Sequence, residues 1–282
     1  MTRTLARRSA VRSNVRIVRE NFSGTAVASL RTFGRAAGIA QESVAGTFTD
    51  IARREFQWKE AILQAWRLVT VTAIPAILMA NPFGVIVSVQ VGNLLHTLGA
   101  DSLLGATGGL GVIKQGAPLA TGFLLGGAGA AALAADLGAR TIREEIDAMK
   151  VMGVDPMRRL VAPRLGAAML VSVLLCGFVV FVGFLTGYVF NIFAQGGTPG
   201  SYVGTFASFA ITTDLFVALL KSLIFGVLAA IIACDAGLNT RGGPGGVANS
   251  VNTAVVMSAV MLFGVNLILT QVYNSLFPPQ MV

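Results

Sequence analysis

Apolar residues gather along this chain in five long runs, at about residues 68–98, 103–137, 165–193, 215–234 and 251–277. Each approaches or exceeds the roughly 20 residues that cross a bilayer core. The pattern predicts five membrane-spanning helices, the first broken or kinked near Pro75 and Pro82. Just ahead of them, Ile51 to Arg67 carries Phe56, Trp58, Ile62, Leu63 and Trp66 among polar residues. That reads as an interfacial helix over 51–67, its tryptophans at headgroup depth. Between the second and third runs, residues 140–164 form the sizeable polar stretch of this half. They predict a short helix, Thr141 to Met152, ended by Gly153 and Pro156.

Residues 1–50 differ from the 51–282 membrane domain. Val11, Val15, Val18 and Phe22 make one apolar stripe at helical spacing, flanked by Arg8, Arg12, Arg16 and Arg19. This fits an amphipathic helix on an anionic membrane face, its arginine stems snorkelling to the headgroups. A partly disordered tail held near the membrane by charge fits equally. No apolar h-region follows the basic start, so a cleaved signal peptide is not expected.

Composition sharpens the class. The 282 residues are 54% hydrophobic and only 12% charged, half the usual charge of a soluble domain, about 25%. That is too little to cover a soluble surface, and it excludes collagen, disorder and disulfide scaffolds. The formal charge of +8 would suggest nucleic acid in a soluble protein. Here its placement matters more. Residues 1–67 hold twelve of the lysines and arginines, the 140–164 segment six and the 235–250 loop one, Arg241. The connections at 99–102 and 194–213 have none. With five spans, every basic segment falls on one side, which predicts a cytoplasmic N-terminus and a periplasmic C-terminus. The expectation is an all-α, multi-pass protein of the plasma (inner) membrane that binds no nucleic acid.

Candidate chemistry is sparse. There is no GxxxxGK[ST], and Gly126-Gly127-Ala128-Gly129 sits inside an apolar run. Gly122, Gly126, Ala130 and Ala134 repeat every four residues, which suits close helix packing or, as the lesser reading, a gap for a bulky lipid tail. Cys176 and Cys234 have no CxxC or histidine partner, and the single histidine, His96, assembles no catalytic or metal set. No enzyme activity, cofactor or metal is expected of the chain itself. Asp136 and Asp235 lie near the cytoplasmic ends of spans, where exposure or an ion pair is ordinary. Lys114 and Lys221 lie within spans, where a lysine is costly unless it snorkels or faces protein or water. A place on a transport pathway, a structural ion pair and simple snorkelling all stay open for them.

The segment from Arg143 to Pro156 is the most informative. A short charged helix between spans suits docking into a groove on a soluble partner, or it merely links two spans. Met149 and Met152 could touch a partner, the headgroups or the rest of the chain.

At this segment the sequence resembles the MlaE/YrbE permeases, the membrane subunits of Mce-type ABC lipid transporters. The residues that carry it are Glu144-Glu145-Ile146-Asp147-Ala148, Met152-Gly153-Val154-Asp155-Pro156 and Leu160-Val161-Ala162-Pro163-Arg164. Leu220-Lys221-Ser222 with Phe225-Gly226 is a second match. A third is Gly237-Leu238-Asn239-Thr240-Arg241-Gly242-Gly243, followed by Gly246-Val247 and Thr253-Ala254-Val255-Val256. The resemblance covers about residues 50–278.

It implies a permease half-subunit that pairs with a second permease and receives an ABC ATPase dimer, where ATP and magnesium bind. The coupling helix at about 141–156 would make that contact through Glu144, Glu145, Ile146, Asp147, Met149, Met152, Asp155 and Pro156. Asn239, Arg241, Gly242 and Gly243 would form a cytoplasmic loop. An MCE protein hexamer outside would deliver the lipid substrate, with fatty acids, sterols or related envelope lipids imported. The chain departs from the family at Lys114-Gln115-Gly116-Ala117-Pro118, where Arg-Glu-x-Gly-Pro is common, at Gly126–Ala130 and at Asn266, where an acid is common. Those losses suit one half of a non-identical pair. The arginine-rich N-terminus and Ala/Gly-heavy composition resemble the actinobacterial (mycobacterial) branch. Rival readings are a secondary transporter or channel without an ATPase, for which inverted repeats would be expected, and a non-conducting membrane assembly subunit.

Overall fold

The computed structural model describes residues 57–100 and 103–276. The N-terminal stripe at Val11–Phe22 and residues 51–56 of the interfacial segment lie outside them. Among the described residues every regular element is helical. Five helices are long and apolar enough to span a membrane: α1 (Trp58–Thr97), α2 (Leu104–Ile142), α4 (Met157–Ala194), α6 (Thr212–Leu238) and α7 (Gly243–Leu276). Two short helices join them, α3 (Glu145–Val151) and α5 (Pro199–Phe209).

α1 runs unbroken from Trp58 through both prolines to Thr97, about 60 Å of helix. Residues 58–67 continue into the span without a break. The expected break at Pro75 and Pro82 is absent: each proline leaves only one carbonyl, four residues earlier, without its helical donor. α2 is interrupted by two single-turn π segments, Val112–Gly116 and Leu125–Gly129. In its most apolar stretch 67% of residues are buried, against 22% in α1 and in α7. α2 is therefore the central helix.

Small residues set how closely the helices approach. The buried face of α1 reads Ala76, Ala80, Gly84, Ser88 and Gly92, one small residue every four, and it packs on α4. A Cβ on Gly84 would lie 2.6 Å from the carbonyl oxygen of Gly183 on α4, so backbone meets backbone there. Thr186 donates to Asn81 Oδ1 at 2.7 Å and Gln195 donates to the Ser88 carbonyl at 3.2 Å, fastening the same pair. Ala76 and Ala80 then meet Ala117, Ala120 and Leu124 of α2 and Leu175, Cys176 and Val179 of α4 in one core. The α2 stripe packs in the same manner. Gly122 and Gly126 face Phe225 of α6 and Leu262 and Ser258 of α7, while Ala130 and Ala134 are fully buried. Among the described residues that stripe packs helix against helix.

α5 is an element the hydropathy pattern does not predict. Thr198 Oγ1 accepts from the Ser201 N–H and Pro199 occupies its first turn, a standard helix start. Its Tyr202 and Phe206 pack on Phe184 of α4.

The turns that reverse the chain use left-handed glycines. After α1, Gly99 (φ 68°) lets Ala100 N–H reach the Leu95 carbonyl at 2.9 Å. After α3, Gly153 (φ 75°) lets Val154 N–H reach Met149 and Gly153 N–H reach Lys150. Both are Schellman ends, which satisfy carbonyls that a lipid or interface would leave bare. Asp155 Oδ1 then accepts from Met157 N–H at 2.9 Å and caps the start of α4 behind Pro156.

Because Gly84 abuts backbone, Gly84→Leu should cost at least about 2 kcal/mol of stability by overpacking. Gly264→Leu, at a site with open space, should change little. Thermal unfolding of the purified variants in detergent checks this, and equal midpoints would refute the α1–α4 contact.

Candidate functional site

One end of the helix bundle holds the polar and basic segments. The start of α1, the end of α2, α3, the start of α4 and the α6–α7 loop meet there. α2 runs on to Ile142, past its expected end near Leu137, so the expected continuous helix from Thr141 to Met152 is divided. Thr141 and Ile142 belong to the span. The break falls at Glu144, whose φ of 59° makes it the non-glycine residue with left-handed backbone among the described residues. Such a conformation costs a residue with a Cβ about 1 kcal/mol or more. It lets the chain turn sharply before α3 starts at Glu145.

α3 is anchored by one side and open on the other. Ile146 is buried beneath it. Glu145 faces inward, with Oε2 3.8 Å from Arg140 Nη1 and Oε1 3.4 Å from Arg143 Nε. Asp147 accepts from Lys150 Nζ at 2.9 Å. At the far end Val151 is 89% exposed and Met152 70%. Met149 turns the other way and lines a second recess with Trp58, Arg140 and Arg159.

The loop residues singled out in the sequence come to the same place. Glu144, Asp147 and Lys150 form one wall of a groove of about 420 Å³, and Asn239, Arg241, Gly242 and Gly243 the other. Asn239 Nδ2 donates to Asp235 Oδ1 at 2.9 Å and to its carbonyl at 2.8 Å, ending α6. Gly242 (φ 89°) and Gly243 (φ 74°) turn the chain into α7. Thr141 on α2 donates to the Gly237 carbonyl at 3.0 Å, so the two walls share a floor. Asp155 and Pro156 stand apart from the groove and start α4 instead.

The two lysines within spans separate in role. Lys114, in the first π segment, lies 3.3 Å from Asp214 Oδ2 at the start of α6. Asp214 Oδ1 accepts a short hydrogen bond from the Tyr273 hydroxyl of α7, and the Lys114 ammonium lies 5.9 Å from that ring's centre. Lys114 is thus a structural ion pair that joins three helices. Lys221 is only 5% exposed. It donates to Thr270 Oγ1 at 3.1 Å, a hydroxyl that Gln115 also approaches at 3.2 Å. Among the described residues no carboxylate stands within ion-pair distance of Lys221.

Sequence reasoning allowed Asp136 an ion pair but missed its partner, the most buried charge among the described residues. Arg164, 1% exposed, donates through Nη2 to Asp136 Oδ2 and through Nη1 to the Leu160 carbonyl at 2.6 Å. Asp136 Oδ1 also lies 3.5 Å from Arg140 Nε. The signal was available: opposite charges near the same end of consecutive spans. Desolvating a guanidinium is costly unless a carboxylate meets it, and removing one partner alone costs several kcal/mol.

The left-handed turn at Glu144 gives a test. Glu144→Gly should leave the fold intact or stabilise it by up to about 1 kcal/mol, whereas the β-branched Glu144→Val should destabilise it by a similar amount. Thermal melts of the two variants check the sign; a valine variant as stable as glycine would refute the strained turn.

Comparison with known proteins fits this geometry. The sequence model of the family described as Permease MlaE matches residues 61–272. A probable ABC transporter permease protein of Synechocystis sp. is 34% identical over 195 residues, which is 69% of this chain and 74% of that protein. The chloroplastic protein TRIGALACTOSYLDIACYLGLYCEROL 1 of Arabidopsis thaliana is 26% identical over 84% of this chain and 68% of its own. The intermembrane phospholipid transport system permease protein MlaE of Haemophilus influenzae is 24% identical over 75% of this chain and 82% of its own. Five helices long and apolar enough to cross a membrane, a polar end with an inserted short helix, and a match that runs from the first of those helices to the last place this chain in the MlaE permease family, as a multi-pass membrane transport subunit.

Proposed function

We propose that this chain is the permease half-subunit of an ATP-driven lipid transporter of the plasma membrane. Its basic end faces the cytoplasm, in keeping with the placement of lysine and arginine. The observation that carries the reading is α3: held from within by Ile146 and Glu145, it displays Val151 and Met152 to the outside. A separate ABC ATPase subunit, binding ATP and magnesium, docks on this tip and on the groove between α3 and residues 239–243. Permease names among the relatives, and a phospholipid transport name in one of them, support the partner and the cargo class.

A second permease, a non-identical paralogue, completes the pathway, and MCE proteins outside hand over the lipid. Fatty acids, sterols or related envelope lipids are the cargo, imported, and the actinobacterial branch is the setting. The mechanism is mechanical. Nucleotide binding moves α3, and that motion changes the packing of the spans, which small-residue interfaces such as α1–α4 permit. Lys221 supplies a buried cation on the pathway. Its neutral partner, Thr270, leaves its charge for a lipid headgroup or carboxylate to meet.

Two measurements test this. Gentle detergent extraction of the tagged protein should recover an ATPase subunit, a second permease and MCE proteins. Val151→Asp with Met152→Asp should reduce the recovered ATPase at least about tenfold, or 1.4 kcal/mol. Unchanged recovery would sink α3 as the docking element. In the same preparations Lys221→Met should lower the co-purified anionic lipid several-fold, and Lys221→Arg should retain it. Equal lipid in both would leave Lys221 a packing residue.

A further inference from the structure

Asp136 is shared by two guanidiniums from different helices. Arg164, on α4, holds Oδ2; Arg140, on α2, approaches Oδ1 at 3.5 Å. Arg140 also reaches outward, its Nη1 3.8 Å from Glu145 on α3, and Arg143 meets the other oxygen of Glu145. The charges alternate without a gap: Arg164, Asp136, Arg140, Glu145, Arg143. Side-chain exposure is 2% at Arg164, about a third at the three middle residues (34% at Asp136, 27% at Arg140 and 36% at Glu145) and 66% at Arg143. Ion pairs weaken as water reaches them. The inner joint is therefore stiff and the outer joint soft.

The row also meets two points where backbone geometry departs from regular helix. Arg164 Nη1 donates to the Leu160 carbonyl within the π segment Met157–Val161 that begins α4. Glu144, in left-handed conformation, is the pivot immediately before α3. A short helix that pivots at one residue needs a side-chain connection if its movement is to reach a span. Ile146 gives it packing, and the row gives it direction.

We infer that Asp136, clasped between Arg164 and Arg140, is a positioning residue that makes α3 and the cytoplasmic half of α4 move as one body. None of the three residues needs to touch the ATPase or the lipid. The inference rests on the reading of α3 as the docking helix, and it adds the route by which displacement of that helix enters the membrane.

The test uses the complete complex, with its ATPase subunit, in lipid nanodiscs. Spin labels at Ala148→Cys and Leu174→Cys, both exposed sites on α3 and α4 and neither on the tip or the groove assigned to the ATPase, report their separation; the native Cys176 and Cys234 are buried. Pulsed EPR with and without a non-hydrolysable ATP analogue should give the same narrow distance in the otherwise native protein. With Asp136→Asn, or independently with Arg140→Gln, the distance should broaden or shift by several ångströms on adding nucleotide, while ATPase recovery and basal hydrolysis stay within about twofold. A distance that nucleotide leaves unchanged in both variants overturns the clasp, as does one that already changes in the native protein. If the native preparation contains no ATPase, the docking reading fails first and the clasp with it. A melt of each variant serves as the folding check, and Arg140→Gln, at a half-exposed position, keeps the test alive if Asp136→Asn does not fold.

Discussion

Hydrocarbon offers a polypeptide no hydrogen-bond partner, and most of this structure follows from that constraint. It accounts for the absence of strands among the described residues and for helices that run on past the membrane thickness. It also accounts for the way they end. Gly99 and Gly153 take left-handed conformations so that the last carbonyls of α1 and α3 are met within a residue or two. Side chains obey the same demand. Hydroxyls of Thr72 and Ser172 return to carbonyls of their own helices. The charged groups that cannot do this are gathered at two levels, Lys114–Asp214–Tyr273 toward one end and Arg164–Asp136–Arg140 toward the other.

Between those levels the helices are held by shape. Without a hydrophobic force to separate apolar helix from apolar lipid, association depends on close contact, and close contact depends on small residues. The stripes on α1 and α2 supply it on successive faces. α2 pays for its central place with two π segments, which widen its turn where Lys114 and Gln115 leave it and where Gly126 meets α7. A widened turn shifts the facing of every residue beyond it, which is how a single helix can contact α1, α4, α6 and α7 in turn.

Five spans, the polar helix and its place on the basic side were legible because hydropathy and charge are summed over many residues. The α1 stripe was equally present in the sequence at Ala76, Ala80, Gly84, Ser88 and Gly92, but two prolines within it suggested a break that the helix does not make. α5 was hidden for the opposite reason. Its eleven residues are too few for a hydropathy signal, and only Thr198-Pro199 and the four-residue spacing of Tyr202 and Phe206 announce it. Of the candidate site, the residues were legible and their meeting was not. Glu144 and Arg241 are nearly a hundred positions apart, and nothing local says that they wall one groove. The same holds for Arg164 and Asp136, each of which looks like an ordinary boundary charge until the two helices are set side by side.

Lys114 and Lys221 show what only three dimensions can divide. Both are lysines in spans, and sequence gives Lys221 the nearer acid, seven residues after Asp214 on the same helix. Seven residues are about two turns, or roughly 10 Å of rise, so reaching that acid would require both side chains to lie along the helix surface. Lys114 comes instead from α2, where the π segment turns it toward the start of α6, and it takes Asp214 at 3.3 Å. Tyr273 takes the other oxygen. The carboxylate is then filled, and Lys221, though deeper and more buried, is left with a threonine hydroxyl. A buried cation with only a neutral partner is the less stable arrangement for a protein that needs nothing further at that point. Burial and charge pairing thus run in opposite directions here: the more exposed lysine has the acid and the buried one a hydroxyl.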